Sequence, residues 1–377
     1  MADGGRRRAV AALRGAKASL GAAAGALRSK ASRGTRRQLA VKDAEIAALR
    51  KELARTGGGR ADVAQTPVFF VVGQQKSGTT WLMRMLDAHP EILCRGEGRF
   101  FGRGWRQKSV KETDVKRPPS SLYNAVLDAE YLRLWIERSV WSRDDDPDEH
   151  TDNLLRMAVD YFLMAELAKT GKRLVGDKSP LLTPDTIGEI SAVYPEARVI
   201  HIIRDGRDAM VSAIHHSWNF GMGKNARARR EARPNDPDDP GGPGESVFAG
   251  NSLGRMAAEW AARVGRTVED GPKLLGDNYA EVRYEDLLDR PEGEMARLFS
   301  FLGAEAGPEA VRRCMNAASF ERLSRGRKRG QEDATSFFRK VVAGDWKNVF
   351  TGQDKTVFKQ EAGGLLVRLG YEMHDGW

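Results

Sequence analysis

The sequence predicts an α/β fold organised around a parallel sheet, and two stretches carry that expectation. Residues 67–86, PVFFVVGQQKSGTTWLMRML, open with an apolar run rich in β-branched and aromatic side chains (Val68, Phe69, Phe70, Val71, Val72). They pass through a glycine-bearing polar turn and resume with Leu82, Met83, Met85 and Leu86 at helical spacing. Residues 197–203, ARVIHII, form a continuous apolar run suited to a strand buried on both faces, as parallel strands are. They lead through Arg204-Asp205-Gly206 toward a helix expected from about Asp208. Each stretch reads as strand, turn and helix, and open α/β sheets bind ligands at the carboxyl edge where such turns lie.

The first turn resembles a phosphate loop with its lysine displaced. In the frame Gly73-Gln74-Gln75-Lys76-Ser77-Gly78-Thr79-Thr80, threonine follows the second glycine where nucleotide triphosphatases carry lysine, and the lysine stands three places earlier. Backbone N–H groups of the first helical turn and the positive end of the helix dipole would converge on one oxyanion there. A lysine inside the loop can lie against the bridging oxygen of the bound group, which suits a phosphate that leaves. The alternative is an ordinary strand-to-helix turn with a solvated lysine.

Charge is divided unevenly. The chain of 377 residues has a formal charge of +9, but residues 1–60 alone carry net +11 and the remainder net −2. The body therefore lacks the basic excess of a nucleic-acid binder. No apolar run approaches the roughly 18 residues of a membrane span, and the Arg6–Arg8 start lacks a clean signal core. Cys94 and Cys314 fit no metal or redox spacing, which favours reduced thiols and a cytoplasmic setting.

Taken in order, residues 1–60 read as a basic Ala/Arg-rich tail, solvated or touching an anionic membrane surface. Within it, 37–55 form a short amphipathic helix with Leu39, Ile46, Leu49 and Leu53 on one stripe. Gly57–Gly59 separate it from a second domain, 61–377. There a helix is expected over Thr80–Ala88, stopped before Pro90, then a short strand at Ile92–Cys94. Helices are expected at Leu122–Val140 and Asp152–Lys169, a strand over Arg173–Gly176 ending at Asp177-Lys178-Ser179-Pro180, and the 197–203 strand. Residues 218–252 turn basic, then acidic and Pro/Gly-rich, and read as a mobile loop beside an acceptor cleft. Helix Leu253–Val268, strand Tyr279–Tyr284, a helix opened by Tyr284-Glu285-Asp286-Leu287-Leu288 and continuing through Glu292–Leu302, and helix Thr356–Leu369 complete the chain. His201 reads as a core histidine inside its strand, and His89 as a cap of the first helix.

The stretch QKSGTTWL resembles the 5′-phosphosulfate loop of sulfotransferases that use 3′-phosphoadenosine 5′-phosphosulfate (PAPS), and ordered motifs to about Leu369 extend the resemblance. It implies a P-loop-containing three-layer sandwich, a central parallel sheet flanked by helices. It implies that Gln75, Lys76, Ser77, Gly78, Thr79, Thr80 and Trp81 bind the 5′ side. Arg204 and Ser212, eight residues apart, resemble the family's 3′-phosphate bracket. Arg339 and Lys340 look like its clamp before the Gly344-Asp345-Trp346-Lys347 buttress, with Val341 where the family has glycine. Tyr284 resembles the adenine-side tyrosine, and Phe320 of Ser319-Phe320 the ring that covers the adenine opposite Trp81. His89-Pro90, Glu97 and Phe100-Phe101 look like the glycosaminoglycan branch, whose glutamate is the base, and Lys178-Ser179-Pro180 like its lysine near the sulfuryl group. On the residues alone, the alternative for Glu97 is a turn residue pairing with Arg95 or Arg99.

What this implies is transfer of a sulfuryl group from PAPS to a hydroxyl, less so an amine, of a sugar, lipid or small-molecule acceptor, releasing PAP without a metal. Lys76, Glu97 and Lys178 would be catalytic. The competing classes are a P-loop kinase-like nucleotide binder, a non-catalytic PAP-binding relative, and a membrane or nucleic-acid module resting on the tail alone. Oligomeric state is left open.

Overall fold

The computed structural model describes residues 67–102, 122, 130–142, 145–181, 183–217, 246–248, 252–324 and 340–374, with isolated positions between 326 and 336 and at 376–377. The expected 1–60 tail with its 37–55 helix, most of the 218–252 loop, and Arg339 lie outside the described residues.

Five strands form one parallel sheet: β1 (Val68–Gly73), β2 (Ile92–Arg95), β3 (Leu174–Pro180), β4 (Arg198–Ile203) and β5 (Tyr279–Arg283), in the order β2-β3-β1-β4-β5. All six residues of β1 are buried, which explains its unbroken apolar run: a central parallel strand is covered by helices on both faces. Strand alternation then divides the core. Phe69 and Val71 pack with α1 (Thr79–Asp87), α7 (Tyr284–Asp289), α8 (Pro291–Leu302) and α9 (Pro308–Ala317), where Leu82, Leu86, Leu287, Leu298, Phe299 and Val311 are buried. Val68, Phe70 and Val72 pack with α3 (Pro147–Leu167) and α4 (Thr186–Val193) through Leu155, Val159, Ile187 and Ile190. A third cluster joins α5 (Gly206–His216), α6 (Ser252–Leu275) and α11 (Gly352–Arg368) around Trp260, Trp346 and Phe358. Burying each such side chain is worth about 1.5–3 kcal/mol. The architecture is the expected three-layer sandwich.

Element ends depart from expectation where capping decides. α3 starts at Pro147, because Asp146 accepts the Asp148 N–H and proline occupies the first turn, where its missing N–H costs nothing. α6 runs to Leu275 through Pro272. Gly271 lets the Tyr279 ring pack so closely that a Cβ there would stand 2.4 Å from it. α11 begins at Gly352 through a capping box between Thr351 and Asp354. The described part of the expected 122–140 helix is α2 (Glu130–Arg138). His89 does not cap α1 with its side chain; its ring bridges the Glu305 carbonyl at 2.9 Å and the Glu91 N–H at 3.1 Å.

The sheet order puts β1 between β3 and β4, with earlier strands on one side and later ones on the other. Loops diverge at the carboxyl end of such a strand and leave a crevice.

Candidate active site

The 73–80 loop opens into that crevice. Gly73 is close-packed: a Cβ there would lie 2.7 Å from the Ile202 carbonyl oxygen. Ser77 N–H donates to the Gln74 carbonyl at 3.1 Å, closing the turn, and Lys76 takes φ 71° within it. Gly78 precedes α1 with φ 90°, and Tyr284 packs against it so that any Cβ would meet the ring at 2.4 Å. Only glycine satisfies both conditions. No side chain caps α1 and no acid stands in its first turn, so its positive end faces the crevice uncompensated.

Arg204 at the end of β4 ties three segments together. Its Nη1 donates to the Lys76 carbonyl at 3.0 Å, its Nη2 to the Val342 carbonyl at 3.2 Å, and its guanidinium lies 4.4 Å from the Tyr284 ring centroid. Its Nε is buried with no partner among the described residues, as is the Ser77 hydroxyl. Buried polar atoms are rarely left so. One turn along α5, Asp208 accepts the N–H groups of Gly344 at 2.6 Å and Trp346 at 2.9 Å, holding the 340–346 segment against the sheet edge. Lys340 reaches Asp345 at 3.1 Å. Val341 takes φ 53°, the left-handed conformation that glycine adopts freely and a β-branched residue resists.

On the β3 side, the Nζ of Lys178 donates to Oε1 of Glu97 at 2.5 Å. Lys178 is almost wholly buried, whereas Glu97 keeps about two-fifths of its side chain exposed. Burial, then the charges of Arg204 and Lys178, lowers the Lys76 ammonium to about 8. An ammonium depressed in that way is stabilised by an incoming anion.

These elements enclose a cavity of about 280 Å³. Of the residues expected from sequence, Gln75, Lys76, Gly78, Thr79, Thr80, Trp81, Glu97, Arg204, Ser212, Tyr284 and Lys340 line it. Ser77 and Lys178 stand behind that surface. Phe320 is buried away from the described lining, under the Arg327 guanidinium at 5.3 Å. Trp81 reaches toward the same segment by donating its indole N–H to the Ala318 carbonyl at 3.0 Å. Sequence reasoning missed Asp208 and Val342 in the lining, which also includes Pro180, His216 and Asp345. Asp208 had one available signal, since it precedes Ser212 by four residues and must share its helical face. The donor set of a helix N-terminus, a depressed ammonium, a guanidinium with one unused N–H and several hydroxyls fits a nucleotide with phosphates at both ends. Among the described residues no group of His, Cys, Asp and Glu is arranged to hold a metal, and no helix is long and apolar enough to cross a membrane.

The model of the Sulfotransferase family matches residues 67–308. Protein-tyrosine sulfotransferase A of Caenorhabditis elegans is 23% identical over 239 residues, 63% of this chain and 50% of that protein. Human protein-tyrosine sulfotransferase 1 is 29% identical over 150 residues, 39% of this chain and 34% of that protein. The nodulation protein NoeE of Sinorhizobium fredii is 25% identical over 321 residues, 82% of this chain and 68% of that protein. The chain thus spans half or less of the length of the tyrosine sulfotransferases. Among solved structures, the sulfotransferase domain from the curacin biosynthetic pathway aligns with TM-score 0.45 at 17% identity, over 82% of this chain and 99% of that one. Because the family model matches residues 67–308, more than half of its length, the chain belongs to the Sulfotransferase family.

Proposed function

We propose that this protein is a PAPS-dependent sulfotransferase acting on a hydroxyl group. The observation that carries the reading is the convergence, in one cavity, of the Lys76 loop at the N-terminus of α1 with Arg204, Ser212 and Lys340. A loop for one phosphate and a second cationic cluster beside it suit a nucleotide phosphorylated at both 5′ and 3′ positions. A kinase-like phosphate loop would need lysine directly after Gly78, where Thr79 stands. A PAP-binding relative without catalysis would need no base at the mouth, where Glu97 stands.

When bound, PAPS supplies an activated sulfuryl group. The loop amides, Thr79, Thr80 and Lys76 hold its 5′-phosphate, and Lys76 neutralises the negative charge that gathers there. Arg204, Ser212, Lys340 and, outside the described residues, Arg339 hold the 3′-phosphate. Trp81 and Tyr284 flank the loop on the adenine side, their ring centroids 6.1 Å apart. Glu97 would take the proton from the acceptor hydroxyl, and Lys178, which donates to its carboxylate, would hold it in place and supply positive charge for the sulfuryl group.

The acceptor in this reading is a sugar, lipid or small-molecule hydroxyl, supported by the glutamate and Lys-Ser-Pro arrangement. A tyrosyl hydroxyl of a protein is the second reading, supported by the protein-tyrosine sulfotransferases among the relatives. A reducing, cytoplasmic setting is supported by two buried free thiols, Cys94 and Cys314. Transfer of labelled sulfate from PAPS to oligosaccharides, lipids, phenols and tyrosyl peptides with acidic flanks tests both readings. Label on any class supports the activity and names the acceptor; label on none, with active control enzymes, contradicts it.

A further inference from the structure

The end of β3 places two charged residues on opposite faces of the sheet. Lys178 follows the alternation of its neighbour Val71, and Asp177 that of Phe70 and Arg95, its register partners. The segment after β2 wraps over this end and touches both faces. Glu97 meets Lys178 at 2.5 Å, and the next residue, Gly98, donates its N–H to Oδ1 of Asp177 at 2.8 Å. The other Asp177 oxygen accepts the Ser179 hydroxyl. The wrap is close: a Cβ on Gly96 would lie 2.8 Å from the Lys178 carbonyl oxygen, and one on Gly98 3.0 Å from Asp177 Oδ1. Farther on, Phe101 packs edge-on against Phe70 at 5.3 Å, and Gly102 N–H donates to Glu189 at 2.6 Å. Thus Asp177 anchors the turn one residue from Glu97, whereas the other anchors lie farther along, at the Arg99 carbonyl, which accepts the Leu122 N–H at 2.8 Å, and at Phe100, Phe101 and Gly102.

We infer that Asp177 is a positioning residue: its carboxylate pins the Gly98 amide and so holds Glu97 on Lys178 at the cavity mouth. This rests on the reading of Glu97 as the base. Burial drives the Asp177 carboxyl up to about 6, against hydrogen bonds from Ser179 and Gly98 that lower it, so at neutral pH it is the acceptor that both donors require. An acid buried to 4% exposure, with no contact to the cavity, has a structural reason to be there only through what it holds.

Backbone hydrogen exchange on the full chain tests this without an acceptor. Asp177→Ala should speed exchange in peptides covering 96–102 by about tenfold or more while residues 68–82 keep wild-type protection. Asp177→Asn, which retains an acceptor oxygen, should recover most of the protection, and Glu97→Gln should leave it unchanged. In labelled-sulfate transfer, Asp177→Ala should lower kcat about tenfold or more in the wild-type background and add little to Glu97→Gln. Unchanged 96–102 exchange in Asp177→Ala, or equal acceleration across 68–82, overturns the inference, as does an equal kcat loss in both backgrounds. A fully active Glu97→Gln would instead sink the base assignment, and exchange alone would then decide the role of Asp177.

Discussion

Arg204 donates to the carbonyl of Lys76 at 3.0 Å, so the guanidinium that organises the loop also crowds the ammonium the loop carries. With burial, that crowding lowers Lys76 to about 8. A bound phosphate reverses the effect by favouring the charged form. PAP affinity should therefore be full below about pH 8 and decline as pH rises through it. Calorimetry at pH 8.5 in buffers of different ionisation enthalpy should detect proton uptake, and Lys76→Met should abolish it. The free protein has the opposite dependence: its unfolded state holds this proton more tightly, so the Lys76 contribution to stability improves from about pH 8 toward 10.5. Affinity flat from pH 7 to 9.5 would remove Lys76 from the phosphate site.

Arg204→Ala, Ser212→Ala or Lys340→Ala should weaken PAP more than adenosine 5′-monophosphate, which lacks the 3′-phosphate. A lost charge-assisted contact should cost about 1.5–3 kcal/mol. Arg204→Ala should also weaken the monophosphate somewhat, because Arg204 supports the Lys76 turn as well. Equal losses for both ligands in all three variants would refute the 3′ assignment.

Gly78→Ala introduces a methyl 2.4 Å from the Tyr284 ring at a φ of 90°. The left-handed backbone alone costs about 1–2 kcal/mol for an L-residue, and the displaced ring adds to it. Melting should fall by several degrees and PAP binding should be lost. A variant that melts and binds like wild type would mean that the loop and Tyr284 are not packed as described.

How legible this was follows from where each contact lies along the chain. The 73–80 loop and the Arg204–Ser212 pair are local patterns whose spacing is enforced by a strand end and a helix, so residue order reveals them. Asp208 holding Gly344 and Trp346, and Asp177 holding Gly98, join residues far apart in sequence, and nothing nearby betrays them. Phe320 shows the limit of motif transfer: the Ser-Phe pair is present, but Ser319 caps a four-residue helix and the ring packs under Arg327. At Val341 the sequence exposed a departure from the family glycine, and the positive φ there shows that the backbone kept the glycine-like conformation. Two helix ends differ from expectation: the helix expected from Asp152 starts at Pro147 under the Asp146 cap, and the one expected to stop at Val268 continues through Pro272 to Leu275.

Sulfuryl transfer should persist in EDTA, since Lys76, Lys178 and Arg204 supply the positive charge that a metal provides in phosphoryl transfer. Activity abolished by EDTA and restored by Mg²⁺ would point to a kinase-like mechanism.

Glu97 is the group on which proton transfer depends. Glu97→Gln keeps the side chain's shape and its hydrogen bond to Lys178 but cannot take a proton. With labelled PAPS and an acceptor that the wild-type protein sulfates, its kcat should fall by roughly 10²–10⁴ while PAP affinity stays near wild type. His216, which lines the same cavity, is the competing base, and His216→Ala should cost far less. Normal turnover by Glu97→Gln together with a dead His216→Ala would contradict the assignment and move the proton transfer to the other side of the cavity.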